Sequence, residues 1–405
     1  MDNKPAKIIV TVILAMIADG IDLQVLALAL PTLMTQLGIS PVLAGLLWTY
    51  TLIGMGIGGI GAGWASDRLG RVRVTWWCVL IFSLFTGMIG FCTEYWQIAV
   101  IRVVSGLGIG AVYSVGNLLV AECVPTGRRN TVLSVVMAGW SLGYVIAALI
   151  SGIVISSWGW RPLFFLAAVP GLMCLVLMYG VSDPPVWLAA HQRFKRDGRN
   201  EFDAIWKDMR MRRTFLLWAA TSIAMQFGFY GASTWFPAYL VRELHVSLKN
   251  MGWFLALSYT MGLFSKPIIG LLADRFGRRL MWMISGSCTS VAIPVILIFA
   301  TPSNVAFLLL IFGALCGSLY AINATYLSES FPTAVRGTAM ATSYNVGRVG
   351  SMVAPVFIGW VATGCSIGAG IASCAAAYLV TALLPGIFIR EKMHDPMELG
   401  KDSGA

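Results

Sequence analysis

The chain has 405 residues, of which 58% are hydrophobic and only 11% charged, and its mean hydropathy is +0.79. Soluble domains carry roughly a quarter charged residues, so a soluble globular enzyme is excluded, and the same apolar content excludes intrinsic disorder. The net charge of +10 does not point to nucleic acid. A nucleic-acid footprint gathers its basic residues on one soluble face, whereas here they fall in the gaps between apolar runs, mostly in alternate gaps.

The apolar runs lie at about 8–30, 42–64, 74–92, 97–120, 131–155, 160–181, 214–240, 251–272, 280–300, 304–328, 338–362 and 367–389. Each is long enough for a helical span, and helices are expected because lipid leaves backbone groups no other partner than the segment itself. The first run is not a cleavable signal peptide: it is too long, and Asp19 and Asp22 interrupt it. Of the 28 Lys and Arg residues, Arg161, Arg242 and Lys249 fall in one set of alternate loops, and Arg102, Lys266 and Arg348 fall inside spans. The other 22 lie in the opposite set of loops or at the termini. By the positive-inside rule both termini are cytoplasmic, and the expected location is the inner cell membrane with the bilayer as solvent. Eight cysteines, without a CxxC pair or metal-ligand spacing, read as small apolar packing residues. His191, His245 and His394 fall outside the spans and read as solvated surface residues.

The polar stretch 182–213 divides the chain into an N-terminal half, 1–181, and a C-terminal half, 214–405, joined by a basic cytoplasmic linker. The halves repeat. Gly63-Trp-Ala-Ser-Asp67-Arg68-Leu-Gly70-Arg71 recurs 207 residues later as Gly270-Leu-Leu-Ala-Asp274-Arg275-Phe-Gly277-Arg278. The same offset joins Glu122 to Glu329, Pro125 to Pro332 and Arg129 to Arg336. Six spans per half is an even number, so both copies face the same side.

The loop after the second span, repeated after the eighth, resembles the signature of the major facilitator superfamily. Arg102-Val-Val-Ser-Gly106-Leu-Gly108-Ile-Gly110 is similar to the family's span-four motif. The resemblance covers nearly the whole chain and implies an all-α polytopic membrane protein with twelve helices in two pseudo-symmetric six-helix bundles. Within the superfamily, Asp19-Gly20-Ile21-Asp22 resembles the DGxD motif of the aromatic acid:proton symporters, which import benzoate-like acids and ring-cleavage products such as muconate. Sialate and other carboxylate symporters have similar first spans.

Asp19 and Asp22 are the only acids near the middle of a span, about 16 and 21 Å in from Ile8 at 1.5 Å per residue. Spaced three apart, they share a helix face. A mid-membrane aspartate costs roughly 2.5–3.5 kcal/mol on insertion scales and marks function by default. Two such carboxylates in low dielectric do not both ionise easily, which suits proton coupling. The rival reading of Asp22 is a structural ion pair with Arg102, within reach by depth, and the two roles are compatible; Arg102 is, with Arg348, also expected to hold the substrate anion. Arg348, about 16 Å into its span, has no acid in its own span and suits a substrate carboxylate through its planar fork. A structural role against backbone carbonyls is the alternative. Lys266 is open to snorkelling or to substrate contact. By resemblance, spans one, four, seven and ten line the central cavity. The further substrate candidates are then Tyr113, Asn117, Gln226, Tyr230, Tyr320 and Asn323, each pair on one helix face. Helix packing and interhelical hydrogen bonding are the plainer role for any one of them.

Also by resemblance, Gly63, Asp67, Arg68, Gly70, Arg71, Glu122 and Arg129 form a gating network, with Gly270, Asp274, Arg275, Gly277, Arg278, Glu329 and Arg336 as its copy. A topology anchor is the rival reading. Span five holds Gly139, Gly143 and Gly152 but no Gly-Pro pair, and the resemblance then favours uptake over efflux. No HExxH, GxSxG or paired histidines occur, so neither an enzyme nor a metal or other cofactor is expected. The expectation is a monomeric, proton-coupled importer of a small organic anion, an aromatic acid or muconate-like dicarboxylate. A sialate, sugar-acid or other carboxylate symporter is the alternative, with an efflux antiporter or a non-transporting sensor behind it.

Overall fold

The computed structural model describes residues 4–116, 119–120, 123, 126–179, 181, 205–331 and 336–389. These residues are helical with short turns. In chain order the helices are α1 (Lys4–Gln36), α2 (Pro41–Leu69), α3 (Arg71–Ile89), α4 (Tyr95–Ala111), α5 (Thr126–Trp158) and α6 (Arg161–Met178). The second half follows with α7 (Met209–Arg242), α8 (Leu248–Phe276) and α9 (Arg278–Phe299). Its last three spans are α10a (Val305–Cys316) with α10b (Ser318–Glu329), α11a (Arg336–Val346) with α11b (Arg348–Gly364), and α12 (Ile367–Phe388). Among the described residues, eleven spans have the length and hydropathy to cross a bilayer. The fourth is represented by the shorter apolar run Tyr95–Gly110, beyond which one π-helical turn, Val112–Gly116, carries the chain on.

The helices extend past the apolar runs that announced them. α1 begins four residues before Ile8 and ends six after residue 30, and α7 adds Met209–Arg213 and two residues at its far end. Hydrophobicity marks only the stretch that meets lipid; helical hydrogen bonding continues into the headgroup region, where charge is tolerated. Side chains on the outer surface confirm the solvent. Ile60, Phe91, Val176 and Ile298 are each at least 73% exposed, an apolar surface that only lipid covers without penalty.

The repeated loops turn on their glycines. Gly70, between α2 and α3, has φ 102°, and Gly277, between α8 and α9, has φ 97°. A β-carbon is strained in that region, so the second glycine of each motif copy makes the tight reversal between spans. A second symmetric feature lies within the membrane. Gly317, where α10a breaks into α10b, is 207 residues after Gly110, one residue before α4 gives way to the π-helical turn.

The chain divides into two compact units. The first comprises Met1–Gly198, Ser233–Thr260 and Pro355–Gly370. It therefore holds the N-terminal spans together with those ends of α7, α8 and α11b that lie away from the repeated loops. Within it, α2 packs on α4, α1 on α5, and α3 on α4 and α6. Small residues allow this closeness: a β-carbon on Gly106 would overlap the Thr51 carbonyl, and one on Gly110 the Met55 carbonyl. Lipid gives no hydrophobic drive between helices, so such backbone approach supplies the packing energy. The same unit joins the two sequence halves at that end. Gly152 of α5 and Gly252 of α8 meet backbone to backbone, as do Gly45 of α2 and Pro355 of α11b. Trp235 Nε1 donates to Pro355 O at 3.0 Å, and Arg242 Nη2 to Thr35 Oγ1 at 3.3 Å.

The second unit comprises Arg199–Ala232, Met261–Ala354 and Ile371–Ala405. Its α7 backbone lies against α11, where Gly350 abuts Ile223 O and Gly347 abuts Ser222 and Gln226. Trp218, Trp282 and Tyr326 form a buried aromatic cluster. The expected linker, 182–213, is described only from residue 205.

Candidate functional site: buried polar groups in each unit

In the first unit α1 carries Asp19 and Asp22 into the core, where they are 2% and 0% exposed. α4 brings Arg102, also 0% exposed, so that its Nη1 lies 3.1 Å from Asp22 Oδ2. The other carboxylate oxygen, Oδ1, accepts a hydrogen bond from the Thr86 hydroxyl of α3. The guanidinium also rests against the Phe164 ring of α6, its Cζ 5.4 Å from the ring centroid. Four helices thus converge on one charge pair. Two donors of the fork, Arg102 Nε and Nη2, are buried without a hydrogen-bond partner among the described residues. A guanidinium using one of its donors in a dry core retains capacity for a further anion.

Half a turn beyond Asp22, Gln24 is fully buried and donates from Nε2 to the Tyr259 hydroxyl of α8 at 2.5 Å. The Tyr259 ring meets Tyr144 of α5 at 5.3 Å, and Tyr144 meets Trp140 at 4.4 Å. The helix bearing the two carboxylates is therefore bonded directly to a helix of the second sequence half. Sequence reasoning did not find Thr86, Gln24, Tyr144 or Tyr259. Thr and Tyr are ordinary in spans, and the only available signal was Gln24, an amide two residues after an intramembrane acid.

In the second unit, Gln226 of α7 is 2% exposed and donates from Nε2 to Tyr344 O at 2.8 Å. It thereby satisfies a carbonyl beside the break between α11a and α11b. Arg348, the first residue after that break, is half-buried and donates from Nε to Asn345 Oδ1 at 3.1 Å. Phe229 links Tyr230 to Tyr320 of α10b, with ring centroids 5.4 and 5.0 Å away. Asn323, one turn further along α10b, is 7% exposed. Gln226, Tyr230, Tyr320, Asn323 and Arg348 thus come from three neighbouring spans of one compact unit.

The loop residues divide by copy. In the second copy Arg278 Nη1 pairs with Glu329 Oε1 at 2.8 Å, the two side chains 14% and 30% exposed. In the first copy Arg71 Nη1 donates to Ser66 Oγ at 3.0 Å. Arg68 and Arg275 are exposed, and Arg275 lies over its neighbour Phe276. A β-carbon at Gly270 would meet open space. Asn117 and Glu122 lie outside the described residues. Gly63, Asp67, Tyr113, Arg129, Asp274 and Arg336 sit on helical backbone, beyond which the structure describes none of them.

A duplicated set of apolar spans, with charged and amide side chains turned into their cores, defines a multi-pass membrane protein. The Major Facilitator Superfamily model matches residues 12–355 and, in a second overlapping match, 225–403. The chain belongs to that superfamily. It is 41% identical to the cis,cis-muconate transport protein of Acinetobacter baylyi, covering 95% of this chain and 94% of that one. It is 27% identical to the gentisate transporter of Corynebacterium glutamicum, over 92% and 85% of the two chains. A crystal structure of a D-xylose-proton symporter superposes with a TM-score of 0.79 at 18% identity, over 96% of this chain and 98% of that one. This agreement is one of fold.

Proposed function

We propose that the protein imports a small unsaturated or aromatic organic acid, foremost a muconate-like dicarboxylate, together with protons, across the inner membrane by alternating access. The observation that carries this reading is the fully buried Asp22–Arg102 pair with Thr86 on the remaining carboxylate oxygen. A proton arriving on Asp22 neutralises the carboxylate and leaves Arg102 with an uncompensated charge in low dielectric. The negative charge of an entering substrate restores the balance, so proton and anion enter together. Asp19, one turn away, offers a second protonation site. Arg348 holds a carboxylate from the second half, and Gln226, Tyr230, Tyr320 and Asn323 supply flat apolar and amide contacts. From the first half the sequence offers Arg102, Tyr113 and Asn117 as further candidates.

The similarity to a muconate transport protein supports the substrate class. The positive-inside distribution supports cytoplasmic termini. The repeated loops act as the cytoplasmic gate, with Arg278–Glu329 as one of its remakeable ion pairs. The sequence halves, 1–181 and 214–405, move against each other as the access changes.

The test is uptake into proteoliposomes with an inward proton gradient, using muconate, benzoate, 4-hydroxybenzoate, sialate and a neutral sugar. Accumulation of muconate or an aromatic acid, lost with a protonophore and with Asp22→Asn, is the expected result. Accumulation of sialate alone moves the substrate to the sugar acids. Movement of any acid that is indifferent to the gradient and to Asp22→Asn removes the coupling role.

A further inference from the structure

Within the second unit, Lys266 stands in the membrane interior, about 12 Å from Asp274 at the loop end of α8 at 1.5 Å per residue. Its stem does not run along α8 toward that end. A β-carbon built on Gly317 would lie 3.0 Å from Lys266 Cε and 3.9 Å from its Nζ, so the ammonium is directed across to α10 at the break between α10a and α10b. Glycine at 317 is what makes room for it. Pro267, the next residue, lacks an N–H and leaves the Leu263 carbonyl without its helical donor, so the surroundings of the lysine are polar on α8 as well.

From the break, α10b presents Tyr320 and then Asn323, each one turn on. Asn323 Oδ1 is buried without a hydrogen-bond partner among the described residues, on a side chain only 7% exposed. Arg348 lies about 18 Å from Arg336 along its own span, so its nominal depth differs from that of Lys266 by about 6 Å, a step comparable to the length of a six-carbon diacid. Charge counting gives the same direction. The chain places five charged groups in span interiors: Asp19, Asp22, Arg102, Lys266 and Arg348. With both aspartates ionised they sum to +1, and with one protonated to +2, which a single dianion neutralises. Without Lys266 the protonated state balances only a monoanion.

We infer that Lys266 is a substrate-binding residue that receives the second carboxylate of a dicarboxylate, the first being held by Arg348, and so selects dianions over monoanions. The inference rests on the transport reading above. It is tested with the purified full-length protein in proteoliposomes, comparing radiolabelled cis,cis-muconate with its monomethyl ester. Losing one charge-assisted contact raises the KM for muconate in Lys266→Gln by about tenfold or more, while the KM for the half-ester changes little or falls. Lys266→Arg retains the preference for the diacid. An unchanged ratio between the two substrates in Lys266→Gln, whether both fall together or neither moves, overturns the inference. If the parent accumulates neither compound, it is the transport reading that fails. Should Lys266→Gln not fold, protection decides on the parent protein. Reductive methylation of Lys266, read by mass spectrometry, is blocked by muconate and not by the half-ester; equal labelling with and without muconate overturns the inference.

Discussion

Removing Asp22 or Arg102 separately is expected to destabilise the first unit strongly, while removing both together restores much of the loss. Both side chains are 0% exposed and their closest charged atoms are 3.1 Å apart. At an effective dielectric constant of 20, two unit charges at that distance attract by about 5 kcal/mol, and desolvation offsets much of this. The net worth of the pair is therefore small, but the cost of leaving one member alone is about 3–5 kcal/mol. Asp22→Asn keeps an oxygen for the Thr86 hydroxyl and strands the guanidinium against Phe164. Arg102→Met fills a similar volume and strands the carboxylate. The double variant buries an amide and a thioether, with no unpaired charge. Thermal unfolding of the four proteins in detergent, followed by size-exclusion chromatography, closes the cycle. A coupling energy above about 1.5 kcal/mol is expected, since contacting charged pairs fall toward the upper end of measured interaction energies. Additive single-variant losses, with coupling below about 0.5 kcal/mol, would refute the reasoning that these charges depend on each other.

Two further expectations follow from packing and sidedness. Gly106→Val drives a branched side chain into the Thr51 carbonyl and is expected to cost upwards of about 1–3 kcal/mol, the usual range for overpacking, with loss of the monodisperse peak. Gly61→Ala, where nothing lies within 4 Å, is expected to be neutral or slightly stabilising; equal behaviour of the two would show that α2 and α4 are not in backbone contact. Cys365 is exposed in the turn between α11b and α12, at the end opposite the repeated loops. A membrane-impermeant maleimide is expected to modify it in intact spheroplasts. Protection of Cys365 until the membrane is permeabilised would reverse the assigned orientation.

Much of this protein is legible along the chain because lipid imposes simple rules. Long apolar runs had to be helices, since no other partner for their backbone exists in a bilayer, and among the described residues every run is helical, the fourth, tenth and eleventh with an interruption. The 207-residue repeat announced the duplication, and the structure adds the reason for its glycines at Gly70 and Gly277: both carry the positive φ of the turn between spans. Intramembrane charge was equally visible, because Asp19, Asp22, Arg102, Lys266 and Arg348 stand out against apolar neighbours.

What a one-dimensional reading lacks is lateral position. Depth along a helix showed that Asp22 and Arg102 were able to meet, but only the packing of α1, α3, α4 and α6 decided that they do, with Thr86 and Phe164 as company. Depth likewise left Lys266 open to snorkelling, and its direction toward Gly317 is a property of how α8 lies on α10. The Gln24–Tyr259 bond joins residues 235 apart, and the amide by itself does not say which helix it meets. Rotation and neighbour choice among helices come from close packing of small residues and side-chain shape, which is a sum over the whole bundle. They are therefore determined only by the tertiary structure, whereas span, sidedness and duplication are determined locally by the cost of placing each residue in lipid.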